Sequence, residues 1–316
     1  MFTKIFKRVS IQSLISSFFF CVLASFFNTY CIKAGNIDLQ DLVKTLVLCF
    51  FLLIAIVIVS FSQARRLNTS FGAIHLLSFP LCILLFIQEG GLSYNKAIVF
   101  LIVLIMVNVL SKNIKNTTST KTFFMLGFLG TIISYINIYY ALFFITPILI
   151  FSETSYRNTK NLIAFCVAII FSLQLLLLLS FLATGTFFYH PAALKTEISI
   201  SGVYSPNDLV WTVAVFIAFL TATIFRPSEY KIKAQKNNTH RVFQFMLIWL
   251  LISIFFRYFN LYDGTGKWLQ SLVPTAFFIG IAIDVIKSSQ IKNLIITVVV
   301  FAATSLKLFD YGLISF

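Results

Sequence analysis

Nine apolar runs, at 11–30, 42–61, 71–88, 92–110, 161–182, 208–225, 242–256, 268–286 and 293–309, are separated along the chain by short polar connectors. A hydrocarbon core about 30 Å thick is crossed by a helix of about 20 residues, so each run predicts one membrane-crossing helix. A tenth apolar stretch, 123–151, is longer. Its 29 residues would make a helix about 43 Å long at 1.5 Å per residue. It reads either as one steeply tilted span or as two short helices of about 20 Å meeting near Asn137. The amide of Asn137 interrupts the run among Tyr135, Tyr139 and Tyr140, residue types that favour the membrane interface.

Charge separates these alternatives, because Lys and Arg concentrate in cytoplasmic loops. With the N-terminus inside and two crossings at 123–151, the inner loops carry 17 Lys and Arg residues and the outer loops 6, with Lys307 inside the last span and counted on neither face. With one crossing every later loop changes side and the split becomes 11 inside and 12 outside. The expectation is therefore eleven spans, a short-helix hairpin at 123–151, the N-terminus inside and the C-terminus outside. The apolar run 14–27 leads to no small-residue cleavage site and reads as an uncleaved first span.

Composition agrees. The 316 residues are 59% hydrophobic and 11% charged, with a mean hydropathy of +0.96, outside the range of soluble domains. The fold class expected is an all-α polytopic integral membrane protein forming a single transmembrane domain over 1–316, in the inner membrane of a bacterium. A net charge of +14 would suggest nucleic acid in a soluble protein. Here the cations sit in short loops between apolar runs, which implies the bilayer and anionic lipids at the inner face as partners, and no nucleic acid. The loop 226–241 is the most basic, with Arg226, Lys231, Lys233, Lys236 and Arg241 against Glu229. Of the five cysteines, Cys21, Cys49, Cys82 and Cys166 lie within apolar runs and Cys31 near a span end without a CxxC partner, which gives neither a disulfide framework nor a metal site.

Chemistry is harder to find. The chain has no metal-ligand spacing, nucleotide-binding glycine loop or nucleophile elbow, so its residues name no cofactor. What remains is a bias: seven of the ten acidic residues, including Asp38, Asp41, Glu89 and Glu197, fall on the expected outer face. Asp38 and Asp41, one helical turn apart, are candidate catalytic bases. Arg257, His190, Lys195 and Glu197 are candidate substrate-binding groups, with Arg257 suited to holding phosphate oxygens bidentately. The alternative is that these are solvated residues at helix ends. Outer aromatics such as Tyr189, Trp211 and Tyr262 suit sugar stacking or, more simply, an interfacial belt. His75, Gln174 and Asp284 read as polar contacts between helices or as the lining of a path.

The basic inner loop, then Gly127-x-x-Gly130, an aromatic hairpin tip, a proline in the second half and Tyr156-Arg157-Asn158 resemble a family of uncharacterised polytopic inner-membrane proteins of Bacteroidota, a likeness that carries no activity with it. The GxxG hairpin followed by an Arg-containing inner loop also resembles, more distantly, the middle of the C-type membrane glycosyltransferases that use polyprenyl-phosphate sugars. That likeness implies an acidic catalytic residue in the first outer loop, where Asp38 and Asp41 stand, and a polyprenyl-phosphate-linked sugar as partner. This chain departs from it in having a first outer loop of roughly ten residues and no large soluble domain. Three functions follow as expectations: handling of lipid-linked sugar or envelope polysaccharide at the outer face; a non-catalytic subunit assembling with other membrane proteins, as in a secretion or motility machine; and a small-solute transporter.

Overall fold

The structure is a computed structural model that describes residues 6, 10–32, 37–64, 74–86, 94–111, 119–136, 138–152, 158–185, 216, 219–220, 239–258, 269–286 and 288–310. Among these residues the chain is all-α. Ten α-helices are present: α1 Ile11–Ile32, α2 Leu39–Ala64, α3 Ile74–Phe86, α4 Tyr94–Ser111, α5 Ser119–Ile136, α6 Ile145–Ser152, α7 Thr159–Thr184, α8 Thr239–Tyr258, α9 Leu269–Val285 and α10 Ser289–Asp310. Each coincides with one of the apolar stretches. Most of the run 208–225 and the loops 186–207 and 221–238 lie outside the described residues.

The helices group into two compact units. The first holds α1, α2, α3, α9 and α10; the second holds α4 from Ile98 onward, α5, α6, α7 and α8.

In the first unit, α3 and α9 form the centre. Residues 76–83 of α3 and 271–278 of α9 are buried without a break, the mark of a helix covered on every side. Each carries an internal proline, Pro80 and Pro274. A proline has no N–H for the carbonyl four residues earlier, so Pro80 leaves the carbonyl of Leu76 without its helical donor. The hydroxyl of Ser17 on α1 donates to that oxygen at 2.6 Å. Ser78 on α3 donates in turn to the carbonyl of Ala276 on α9.

The second unit contains the long stretch 123–151, and it is not one continuous helix. α5 ends at Ile136, a 3-10 helix runs over Ile138–Phe144, and α6 follows. The two ends of the stretch meet: the rings of Phe123 and Phe151 lie 6.2 Å apart, edge to face. The chain therefore doubles back within these residues. Two glycines permit close packing around it, Gly130 against the returning segment and Gly127 against α7. A methyl placed on Gly127 would lie 2.8 Å from the carbonyl oxygen of Phe165 and 3.1 Å from the Cβ of Ala168, so α5 packs against the backbone of α7 there. A methyl on Gly130 would meet the ring of Phe144 at 2.6 Å. α7 begins at Asn158, whose side-chain oxygen accepts from the N–H of Lys160 at 3.0 Å, an ordinary N-cap. It ends at Gly185, left-handed at φ 72°, whose N–H returns to the carbonyl of Phe181. The GxxG and the Asn158 of the sequence motif are thus packing and capping residues.

This geometry predicts unequal effects. Gly127→Ala must move backbone and is expected to destabilise by about 1–3 kcal/mol, read as a lower midpoint of detergent-induced unfolding. Gly130→Ala meets only an aromatic side chain, and the second change Phe144→Leu should restore its stability. Equal midpoints for Gly127→Ala and the parent chain would contradict the packing.

Two helices, α1 over Ile11–Cys31 and α7 over Thr159–Thr184, are long and apolar enough to cross a membrane, and several described helices add shorter apolar segments. Both long helices are turned the opposite way from helices of a water-soluble domain. α1 buries Ser13, Ser17, Cys21, Ser25 and Asn28 while exposing Ile11, Ile15, Phe19 and Leu23. α7 buries Asn161, Phe165, Ala168 and Ser172 and exposes Ile163, Val167, Ile170, Leu178 and Leu182. The buried positions recur every three or four residues, so each helix turns one face inward, small and polar on α1 and with Phe165 among small and polar residues on α7, and a large apolar face outward.

Candidate functional site

The polar stripe of α1 leads to a buried cluster in the first unit. α1 and α3 run parallel, since Ser17 reaches Leu76 and Asn28, eleven positions on, reaches Ile83. The Nδ2 of Asn28 donates to the carbonyl of Ile83 at 2.6 Å. α3 ends at Phe86, so Ile83 carries one of the last four carbonyls, which have no donor in their own helix. Asn28 supplies that donor. Its other amide atom, Oδ1, accepts from the ammonium of Lys307 on α10.

Lys307 is only 6% exposed. A buried ammonium requires acceptors and compensating negative potential. Asn28 is one acceptor. Lys307 also stands in the last turn of its own helix, three residues before Asp310, while α1 ends four residues beyond Asn28 and α3 three beyond Ile83. The carbonyl ends of three helices therefore lie near the charge, each the negative end of a helix dipole.

One residue along α1 from Asn28, the hydroxyl of Thr29 meets that of Thr45 on α2 at 3.0 Å, and Thr45 donates to the carbonyl of Asp41 at 2.8 Å. The start of α2 is thereby tied to the end of α1. Asp38 is the residue before α2 and its carbonyl accepts from the N–H groups of Asp41 and Leu42 at 3.0 and 3.1 Å, which makes it the N-cap position. Its side chain is exposed; that of Asp41 is half-buried in the first turn. Both acids sit where a helix N-terminus favours negative charge.

The candidate site residues distribute as follows. Asp38 and Asp41 are brought together at the start of α2. Arg257 lies in the last turn of α8, in the second unit, with its side chain outside the described residues. His190, Lys195 and Glu197 lie outside the described residues, as do the side chains of His75 and Asp284. Gln174 is exposed on α7. Among the described residues no group of three His, Cys, Asp or Glu side chains could hold a metal ion, and Cys21, Cys31, Cys49 and Cys82 are buried and free. Sequence reasoning missed the cluster of Asn28 and Lys307. The signal was present, because a lysine and an asparagine inside apolar runs are costly unless they are used. Comparison of the chain with protein-family models, with curated proteins and with solved structures yields no match.

Proposed function

We propose that the chain is a multi-pass protein of a bacterial inner membrane, with eleven spans, the N-terminus inside and the C-terminus outside, and that it handles a lipid-linked sugar at its outer face. The membrane placement is supported by the outward apolar faces of α1 and α7. Each large apolar side chain left in water forgoes about 1.5–3 kcal/mol. Hydrocarbon removes that loss, and small or polar residues are the ones membrane helices turn toward each other.

The sugar-handling reading is carried by one observation: two carboxylates open α2 at the same end of the first unit that holds a buried lysine. In this reading Asp38 or Asp41 takes the acceptor proton and a cation steadies the leaving phosphate. Lys307 shares that end with the acids, whereas Arg257 belongs to the second unit. The resemblance to polyprenyl-phosphate-dependent glycosyltransferases points the same way. A second reading, a non-catalytic subunit of a membrane assembly, is favoured by the position of Asp38 as N-cap, which accounts for the residue without chemistry.

Reporter fusions after Asn158 and after Asn237 are expected to report cytoplasm. An outside signal at either position would overturn the eleven-span topology. The catalytic part is tested by the carboxylate substitutions taken up in the Discussion.

A further inference from the structure

α7 is covered along one side. Its Asn161 meets Thr120 of α5, and Phe165 and Ala168 pack on Gly127 of the same helix. Ser172 continues that buried stripe, and from Leu173 to Thr184 no residue is buried. A helix turns 100° per residue, so Ile163, Val167, Ile170, Gln174 and Leu178 share the face opposite the stripe. The four apolar members are each at least half exposed, and Gln174 is exposed among them.

Hydrocarbon suits four of these five side chains. It does not suit the amide. Gln174 lies fifteen residues from Thr159 and ten from Thr184, so it is about 15 Å from the nearer end of the helix. That is too deep for its side chain to reach the interface. Among the described residues the amide has no hydrogen-bond partner. A primary amide carries two donors and an acceptor, and leaving them unmet in hydrocarbon is costly. Membrane helices meet that demand by bonding such groups to one another.

We infer that the face of α7 centred on Gln174 is a self-association surface, and that its partner is α7 of a second copy of this chain. Two copies inserted in the same direction are related by a twofold axis along the membrane normal, which sets Gln174 of one against Gln174 of the other at equal depth. Each amide donates to the carbonyl oxygen of its counterpart, so the group is its own complement. The apolar neighbours on either side then pack on their own equivalents, and one polar position within an apolar seam fixes the register of the pair. Lys160, at the start of α7, is its only charged residue, so no like charges face each other within the bilayer. The inference rests on the membrane placement of α7 and is independent of sugar transfer.

The test is the stoichiometry of the full chain in phospholipid vesicles, counted by single-molecule photobleaching over a range of protein-to-lipid ratios. The parent chain is expected to be dimeric and to dissociate on dilution. Gln174→Leu should weaken association about tenfold, the effect of losing the interhelical amide bonds. Gln174→Asn keeps an amide and should retain most of the association. Leucine on an outward face preserves the apolar surface, so the variant is expected to insert normally. Position is read separately by disulfide cross-linking in a Cys166→Ala background. Val167→Cys, Ile170→Cys and Leu178→Cys should join two copies, whereas Leu162→Cys and Leu179→Cys, exposed on other sides of the helix, should not. A parent chain that is monomeric at every ratio, association unchanged in Gln174→Leu, or cross-links spread evenly around the helix overturns the inference. A monomer whose unfolding midpoint falls in Gln174→Leu also overturns it and assigns the amide to a partner within the same chain. Release of the chain from membranes by alkaline carbonate overturns the membrane placement and the inference with it, whereas a monomer that stays in the membrane overturns the inference alone.

Discussion

Replacing Asn28 by leucine is expected to lower the stability of the protein by about 2–3 kcal/mol, more than any other polar change on α1. The size follows from what the amide does. It is donor to the last-turn carbonyl of Ile83 and acceptor from Lys307, so leucine removes two interhelical bonds, one of them to a cation. A hydrogen bond between membrane helices contributes about 0.6 kcal/mol on average, and bonds to charged groups about 1.5–3. Leucine keeps most of the volume, so little of the loss comes from packing. Ser17→Ala loses only the donor to Leu76, and Thr29→Ala leaves Thr45 its bond to Asp41; each should cost roughly 1 kcal/mol or less. Unfolding in mixed micelles of increasing denaturing detergent orders the three variants. A midpoint for Asn28→Leu at or above that of Ser17→Ala would mean that the amide does not hold α1, α3 and α10 together.

The helices among the described residues were legible in the sequence because long apolar runs stand out from the short polar segments between them. The break in 123–151 was legible through charge, since length left one tilted span open and the distribution of Lys and Arg favoured two short helices meeting near Asn137. The contact of Phe123 with Phe151 is accompanied by close approach of Gly130 to Phe144, and Gly127 meets α7; the sequence marks both only as small residues. The candidate acids were legible as residue types at a helix start. The cluster at Lys307 was not, for a physical reason: hydropathy averages one polar side chain into its apolar surroundings, and the contact with Asn28 joins residues 279 positions apart. Charge counting even set Lys307 aside, because a residue inside a span has no side. The inward stripe of Ser13, Ser17, Cys21, Ser25 and Asn28 could have pointed to that helix face, since small and polar residues at helical spacing mark where membrane helices touch.

If the outer-face chemistry is sugar transfer, Asp38→Asn and Asp41→Asn together are expected to reduce it by a factor of about a hundred or more, the contribution of a general base. The substitutions are nearly isosteric. Asparagine is as good an N-cap as aspartate, and the bonds that define the start of α2 are made by the backbone carbonyl of Asp38, which the change retains. The tie from Thr45 likewise ends on the main-chain oxygen of Asp41. Loss of two charges near the helix N-terminus should cost about 0.3–1 kcal/mol each at most, too little to unfold the chain. Insertion and stability should therefore survive while transfer falls. The single variants divide the roles: exposed Asp38 and half-buried Asp41 are not equivalent, and the base is the one whose single change reproduces most of the double loss. The readout is transfer of sugar from a polyprenyl phosphate by the purified chain, alongside complementation of a deletion strain. A double variant that inserts normally and complements fully removes general-base catalysis by these acids and leaves the reading in which they simply begin a helix, as in a non-catalytic subunit of a membrane assembly.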